Sequence, residues 1–446
     1  MRTILLYWLM FTVLGVAKGQ EAPRKSKGTF SGEWRTYYLS THNKGPLKDF
    51  YALATGGKLK YVHSWGGHIK LGGALYTSYN AGLQDLTVPD AVTGKGSRYE
   101  VGLFDVQDVT SRLIVIPGEL FFQYLSQKHE LTLGRMKIAT PLINPADGRM
   151  IPTLEQGLWY HYKPGKKYQV QLGFINAIAP RSTDGFFGIG ESIGKYPVGR
   201  SHDGSASQYA GNTKSDFVLV TNLNMAPAKT FKLAIWDYYV DQVFHTLYLK
   251  PTLTFPQKTG EIALEWLHQD RLGNGGNDAD SLRYFSDAHA NVLGAQVSVN
   301  LNKTKLSLGY NHILSEGRFL FPREWGREPL FSFQKRERSE GAAGNHAVLL
   351  TYERTFAWQK NQLQTITSLG HHWKPTVLDP ASNKYGLPDY THINLDFYYH
   401  AEKVPKLKPE LLLTYKIGNG DFPENPNFVI NKIDMFQVNF ILNYNF

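Results

Sequence analysis

The sequence predicts an all-β fold, a single transmembrane antiparallel β-barrel with long extracellular loops and short periplasmic turns. Three observations carry that reading. In the last strand, Phe436, Val438, Phe440, Leu442, Tyr444 and Phe446 share one face of an extended segment. Gln437, Asn439, Asn443 and Asn445 share the other, with Met435 and Ile441 as apolar exceptions. A strand between lipid and a watery lumen needs this alternation, and a terminal Phe is what outer-membrane assembly machinery commonly reads. A soluble half-buried strand can alternate in the same way, but it seldom ends the chain on its apolar phase with an aromatic. The second observation is the start of the chain. Arg2 supplies a positive n-region, Ile4 to Val16 an apolar run, and Ala17-Lys18-Gly19 small residues on either side of a lysine. That pattern is a secretory signal peptide over 1–19, too short to span as a helix, which leaves 20–446 as the barrel domain. A retained anchor helix is the alternative.

Composition is the third observation. Mean hydropathy is −0.33 and 19% of residues are charged, which excludes a bundle of membrane helices. A barrel tolerates a hydrophilic average because only alternate residues face lipid. Aromatic residues make up 13% of the chain, enough for two interfacial girdles. With no cysteine, an exported chain has no disulfide scaffold, no Cys-ligated metal and no Cys lipid anchor. The formal charge is +10, and +8 once Arg2 and Lys18 leave with the signal. Acidic headgroups and anionic solutes fit that charge on an exported chain better than nucleic acid does.

Strands are expected near 29–40, 51–63, 67–80, 118–126, 129–138, 156–163, 167–178, 214–224 and 229–240. They continue near 243–255, 260–270, 291–300, 304–313, 344–353, 361–372, 390–400, 408–417 and 433–446. That makes eighteen, an even number that returns both termini to the periplasm, with sixteen and twenty left open. Leu293, Ala295, Val297, Val299 and Leu301 point to lipid, and Gln296, Ser298 and Asn300 to the lumen. Ile393, Leu395, Phe397 and Tyr399 oppose His392, Asn394, Asp396 and His400, and Leu306, Leu308 and Tyr310 oppose Lys305, Ser307 and Asn311. The strand at 361–372 alternates poorly and leaves its register open. Short turns at Ser64-Trp65-Gly66, Lys163-Pro164-Gly165-Lys166, Pro256-Gln257-Lys258-Thr259 and Leu301-Asn302-Lys303 alternate with long loops. Those loops cover about 81–117, 139–155, 179–213, 271–290, 314–343, 373–389 and 418–432. Gln20 to Gly28 is too short for a plug domain, so loops folded inward are what would restrict an otherwise aqueous channel.

Two loop regions carry a family resemblance. The first runs Leu133-Gly134-Arg135-Met136-Lys137-Ile138-Ala139-Thr140-Pro141-Leu142 and on through Pro145, Asp147, Gly148, Arg149, Met150 and Pro152 to Gly157. The second is Gly317-Arg318-Phe319-Leu320-Phe321-Pro322-Arg323-Glu324-Trp325-Gly326-Arg327-Glu328-Pro329, followed by Phe331, Arg336, Arg338 and Gly341. They resemble the third and seventh extracellular loops of the OprD-type family of substrate-specific outer-membrane porins. The resemblance implies a third loop folded into the lumen and a track of basic side chains that guides small carboxylate-bearing solutes such as amino acids, short peptides or organic acids. It also implies an outer-membrane location in a Gram-negative bacterium, passive transport without a cofactor, and a monomer rather than a trimer. The loops at 81–117 and 179–213 show no family pattern.

The candidate solute-binding and constriction residues are therefore Arg135, Lys137, Asp147, Arg149, Arg318, Arg323, Arg327, Arg336 and Arg338. Arginine suits the task because its planar fork grips a carboxylate through two charge-assisted hydrogen bonds. On an extended segment Arg336 and Arg338 share one face, Lys335 and Glu337 the other. Asp147 and Arg149 can pair to hold the inward loop in shape. Trp325 either packs the seventh loop against the rim or offers solutes an apolar slide. Arg318, Arg323 and Arg327 near the mouth either steer anions or bind lipopolysaccharide phosphates. Asp270, Asp278, Asp280 and Asp287, with Asn274 and Asn277, form a solvated loop, a Ca²⁺ site, or an acidic wall opposite the basic track. No enzyme is expected: in Ser201-His202-Asp203 adjacent side chains cannot converge as a triad, and no nucleophile elbow or zinc spacing occurs. Two rival readings are a general diffusion porin without solute preference and an adhesin or structural barrel whose loops bind outside partners.

Overall fold

The computed structural model describes residues 26–146, 149–196 and 198–446. The expected leader 1–19 and the candidate Asp147 lie outside the described residues. The strands are β1 (Lys27–Asn43), β2 (Phe50–Trp65), β3 (Ile69–Asn80), β4 (Leu113–Leu125), β5 (His129–Met136), β6 (Leu154–Tyr162) and β7 (Tyr168–Ala179). They continue as β8 (Phe187–Gly188), β9 (Val218–Ala228), β10 (Phe231–Val240), β11 (Phe244–Thr254), β12 (Gly260–Arg271) and β13 (His289–Leu301). The last are β14 (Thr304–Ile313), β15 (Asn345–Trp358), β16 (Asn361–Trp373), β17 (Asp389–His400), β18 (Leu407–Asn419) and β19 (Met435–Asn445). The two-residue β8 only lengthens the edge of β7, which pairs directly with β9. The other eighteen form the wall, each antiparallel to its neighbours in sequence. β1 closes the sheet on β19, from Glu33↔Asn445 to Asn43↔Met435, and Gly32 and Phe446 exchange backbone hydrogen bonds beyond that ladder. A closed wall leaves no unpaired edge, which is the condition for spanning lipid with strands.

Period-two alternation positions the side chains. On β13, Leu293, Val297, Val299 and Leu301 are exposed outward while Ser298 is buried inward. On β19, Phe436, Phe440, Tyr444 and Phe446 face out and Gln437, Asn439 and Asn443 are buried. The poorly alternating β16 resolves with Leu369 and Trp373 outward and Ser368 and His372 inward. All seven long connections, 81–112, 137–153, 180–217, 272–288, 314–344, 374–388 and 420–434, leave the same rim. The start of β1 and the end of β19 lie at the opposite rim, that of the short turns. β4 begins earlier than its sequence suggested, because Pro117 and Gly118 sit inside it at a shift of register opposite Ala74 and Leu75. A bulge is where a strand accommodates proline, so a Pro-Gly pair that reads as loop can lie in the wall.

The inward face is not uniformly polar. Two apolar clusters fill the barrel near the loop rim. One joins Trp236, Tyr238, Phe244 and Tyr248 of the wall to Leu142, Ile143, Phe319, Leu320 and Trp325 of two loops. The other joins Tyr37, Leu39, Ile114 and Ile116 to Leu103, Phe104, Met150 and Ile151. The loops fold inward because their own apolar residues find these wall positions. Close approach requires small wall residues: a Cβ at Gly309 would meet the Phe331 carbonyl oxygen at 2.6 Å.

Candidate functional site

Between the two apolar clusters lies a polar passage made of two adjoining cavities. The larger, about 930 Å³, lies among the loops. The smaller, about 190 Å³, lies against β1, β17, β18 and β19. Arg149, Phe333 and Arg336 line both, so these three side chains form the neck between them.

Among the described residues the large cavity is lined by eleven lysines and arginines and one carboxylate, Glu337. Arg181, Arg200, Arg338 and Lys432 donate to backbone carbonyls, while Arg98, Lys195 and Arg323 meet the carboxylates of Glu337, Glu191 and Glu340. Arg200 donates to the carbonyls of Val377 at 2.9 Å and Asn383 at 2.7 Å. Lys432 donates to those of Tyr385, Gly386 and Asn427 at 2.9, 3.2 and 3.0 Å. Arg338 donates to the Gly326 carbonyl, and Arg181 to that of Arg323 at 2.8 Å. Lys384 stands over the rings of Tyr209, Tyr284 and Tyr385 and donates to the Tyr209 hydroxyl at 3.0 Å.

Burial then decides which groups keep their charge. It pushes Glu100, Glu324 and Glu328 upward, toward their neutral forms. It pushes Lys384 down to about 8. It pushes Lys432 down to about 7, with Arg98 and Arg200 adding to the shift. Burial opposes the charge of Glu337 too, but Arg98, Lys416 and Arg323 outweigh it and hold that carboxyl well below the usual range. Its partners are close, Arg98 at 2.9 Å and Lys416 at 2.8 Å. Glu337 thus ties the inward loop 314–344 to β18 and to loop 81–112.

The smaller cavity is mixed. Lys335 pairs with Asp396 at 2.5 Å, Glu410 lies across from it, and Arg35 and Arg327 add positive charge. The neck is held from behind: Arg336 donates to the Tyr37 hydroxyl and to Asn439, and the Arg149 carbonyl accepts from Arg35. Arg327 stacks over Phe333 at 5.3 Å.

The candidates named from sequence divide three ways. Arg149, Arg323, Arg327, Arg336 and Arg338 line the passage. Arg135 and Lys137 line neither cavity; Arg135 stacks on Phe186 at 4.4 Å and donates to Gln156. Arg318 is buried in the loop layer, 3.6 Å from Asp287, and donates to the Arg200 carbonyl. Arg336 and Arg338 both reach the large cavity, but Lys335 joins Arg336 in the smaller one. The extended two-residue phase breaks because Arg336 adopts φ +80°, a left-handed turn. The aspartates 270–287 do not gather on one wall: Asp270 meets His268, Asp278 meets Lys214, Asp280 meets Arg283. The carboxylates opposite the basic lining are Asp396 and Glu410. Trp325 is fully buried, its indole N–H on the Ser192 hydroxyl at 2.9 Å, so it packs the loop and offers no slide. His202 turns to Asp287 and Asp203 to Ser205, so the triad residue types separate. Among the described residues no group of three metal-ligating side chains converges. Arg98, Arg181, Arg200, Lys384 and Lys432 were missed from sequence, as they sit in loops without a readable local pattern.

No family model matches the sequence, and no curated protein matches it. Solved structures do. The structure of OpdK from Pseudomonas aeruginosa, determined with vanillate, aligns over 94% of this chain and 98% of its own, with TM-score 0.66 and 14% identity. OccAB4 of Acinetobacter baumannii aligns over 95% and 98%, with TM-score 0.69 and 14% identity. The barrel has the OprD-type porin fold. OpdG of Pseudomonas aeruginosa aligns over 94% and 98%, with TM-score 0.70 and 14% identity. The whole eighteen-stranded wall of an OprD-type barrel is thus present here at an identity where sequence comparison is silent.

Proposed function

We propose that this protein is an outer-membrane porin for passive, selective diffusion of small solutes bearing a carboxylate. The observation that carries the proposal is the lining of the large cavity, eleven cations against one carboxylate, narrowing onto Arg149 and Arg336. A narrow aqueous passage with low-dielectric walls focuses that field on an anion. Carbonyl-held cations in series give several moderate sites, so a solute can be passed on as well as bound. Beyond the neck, Lys335 and Arg35 face Asp396 and Glu410, a mixed lining that suits a zwitterion such as an amino acid. Vanillate in OpdK is a carboxylate of the proposed class. The loop rim faces outward and both termini face the periplasm in this reading, and the barrel works as a monomer. Asp147, beside Ala146 of the neck region, is proposed to steady Arg149.

Single-channel recording of the purified barrel in planar bilayers tests the proposal, with benzoate, vanillate and amino acids titrated against the ion current. Small anion-selective conductance with saturable carboxylate block is expected. Large conductance indifferent to all of them would refute selectivity and favour a general diffusion porin. No conducting state at all would refute transport.

A further inference from the structure

Six consecutive wall strands each carry a histidine on the outward face near the loop rim. They are His245 on β11, His268 on β12, His289 on β13, His312 on β14, His346 on β15 and His371 on β16. The neighbours along each strand are buried inward, Asn311 and Ile313 around His312 and Asn345 and Ala347 around His346, so the imidazoles face away from the lumen.

The ladder register shows that this belt runs level. His245, Asp270 and His289 share one row. His312 and His346 share a row with Leu293, four residues further down β13. His371 faces Val348, two residues further down β15 than His346. Strands about 4.8 Å apart and tilted by roughly 40° displace a plane parallel to the membrane by about one residue per strand. The histidines follow that slip. Below them the outward residues are Leu264, Trp266, Leu293, Leu308, Leu350 and Leu369, all exposed apolar side chains that need lipid tails. The belt therefore lies at the polar edge of the apolar band. No lysine or arginine occupies an outward position in the rim halves of these six strands. The cationic chemistry at that depth is left to histidine, the side-chain type suited to change charge with pH in the physiological range.

We propose that this belt docks phosphate-bearing lipid headgroups of the loop-side leaflet, with the His312–His346 pair as its centre. The two rings stand at 83° with centroids 3.8 Å apart, and their Nδ1 atoms are 2.9 Å apart. The Tyr310 hydroxyl lies 2.6 Å from His346 Nδ1, and among the described residues no carboxylate pairs with either histidine. Two imidazolium groups this close repel each other unless an anion bridges them, which a headgroup phosphate does. The flanking histidines face other groups. Asp237 of β10 lies 2.5 Å from His245, Asp270 3.0 Å from His268, and Glu316 of loop 314–344 4.0 Å from His289. On protonation each of these pairs goes from net negative to neutral, which removes a repulsion for an anion without leaving a net cation. His371 lies 2.9 Å from the Thr391 hydroxyl of β17 with the Trp373 ring beside it, and like the central pair has no carboxylate partner among the described residues.

The inference rests on the barrel standing in a bilayer and is independent of what crosses the lumen. The test is electron paramagnetic resonance of the barrel in phosphatidylcholine nanodiscs, comparing immobilised spin-labelled phosphatidylglycerol with spin-labelled phosphatidylcholine. Preference for phosphatidylglycerol is expected to rise on the order of fivefold between about pH 8 and about pH 5.5, near the worth of one cation at a headgroup surface. The rise is sharply reduced, though not abolished because the flanking histidines remain, in His312→Gln/His346→Gln, with His346→Gln alone as the second variant, each checked for heat-modifiable gel mobility. Equal preference at both pH values overturns the proposal, as does a double variant that keeps the rise. A rise abolished by chelating divalent cations overturns it too, because a metal bridge would then hold the phosphate. Immobilisation of neither lipid would instead refute the bilayer placement itself.

Discussion

Replacing Glu337 with glutamine removes the charge of the one carboxylate that lines the large cavity among the described residues and leaves the shape of the side chain. Glu337 is buried, and it receives two charge-assisted hydrogen bonds, from Arg98 at 2.9 Å and Lys416 at 2.8 Å. Each such bond contributes about 1.5–3 kcal/mol. Removing one member of a buried ion pair costs about 3–5 kcal/mol, since the other charge is left without compensation. Here two cations are left, with Arg323 close enough to add repulsion. The wall keeps its ladders in the variant, so the loss falls on the seating of loop 314–344 and not on the barrel. A loop held by a few kcal/mol and deprived of about 3 kcal/mol would leave its seat for a large share of the time, since 1.4 kcal/mol is a tenfold change in population. Single-channel recording would show larger, noisier conductance with weaker block by carboxylates. Limited proteolysis would cut loop 314–344 faster while heat-modifiable mobility stays unchanged. A Glu337→Gln channel with the original conductance, noise and loop resistance would refute the claim that this triad of charges seats the loop.

Four further outcomes follow from the same geometry. Arg149→Ala and Arg336→Ala should each weaken carboxylate block by about 10- to 100-fold, the worth of one hydrogen bond between charged groups, read as the block constant. Lys432, at about 7, is charged below that pH and neutral above it, so anion preference should fall as pH rises through neutrality. Lys384, at about 8, extends the fall upward. Lys432→Arg should flatten the neutral part of that profile, and Lys432→Gln should give the alkaline behaviour at every pH, measured as reversal potential across a salt gradient. Gly309→Val should displace Phe331, whose carbonyl a Cβ would meet at 2.6 Å, and widen the channel without unfolding it. Trp325→Ala, which empties a fully buried site, should cost about 3–5 kcal/mol of loop packing, seen as earlier loss of the constricted conductance on heating.

How much was legible in the sequence follows from the physics of each part. Wall strands answer to a local rule, alternation between lipid and lumen, so all eighteen appear where their own residues place them. The boundaries failed where a local signal had a non-local cause, as at Pro117, whose bulge depends on its partner strand. Residues of the inward loops answer to contacts between segments far apart in the chain. Arg336 reaches Tyr37 and Asn439, Lys432 reaches Tyr385, and Arg98 reaches Glu337, none of which leaves a spacing to read. Arg318 looked like a mouth residue and instead pairs with Asp287 inside the loop layer. One trace of the inner architecture was visible. Met435 and Ile441 broke the polar phase of the last strand, and both pack against the apolar cluster that holds loop 81–112 in place.

That exception points to how inward loops make a narrow passage in such a barrel. A lumen lined only with polar residues would give the loops nothing to bury, and they would stay in water above the rim. Here the wall carries apolar inward residues in two separate groups, and each recruits apolar residues from the loops, loop 137–153 giving Leu142 and Ile143 to one and Met150 and Ile151 to the other. Burial of those side chains draws the loops in, at about 25 cal/mol for each Å² removed from water. What the clusters cannot take, the cations and their carbonyl partners, is left facing the gap between them. The passage is thus the residue of two cores placed apart, and its charge follows from which loop side chains are turned to the gap: among the described residues, eleven lysines and arginines and Glu337. If so, a polar replacement on the wall should open the channel without any change to a passage residue. Tyr238→Ser is the sharpest case. Tyr238 is fully buried in the first cluster, its hydroxyl accepting from the Leu142 backbone N–H at 3.3 Å and its ring edge-on to Phe321 at 5.9 Å. Its loss should free both inward loops and raise conductance while every basic side chain of the passage is retained. Unchanged conductance in Tyr238→Ser would mean that the charged contacts alone, Glu337 foremost, hold the loops in the lumen.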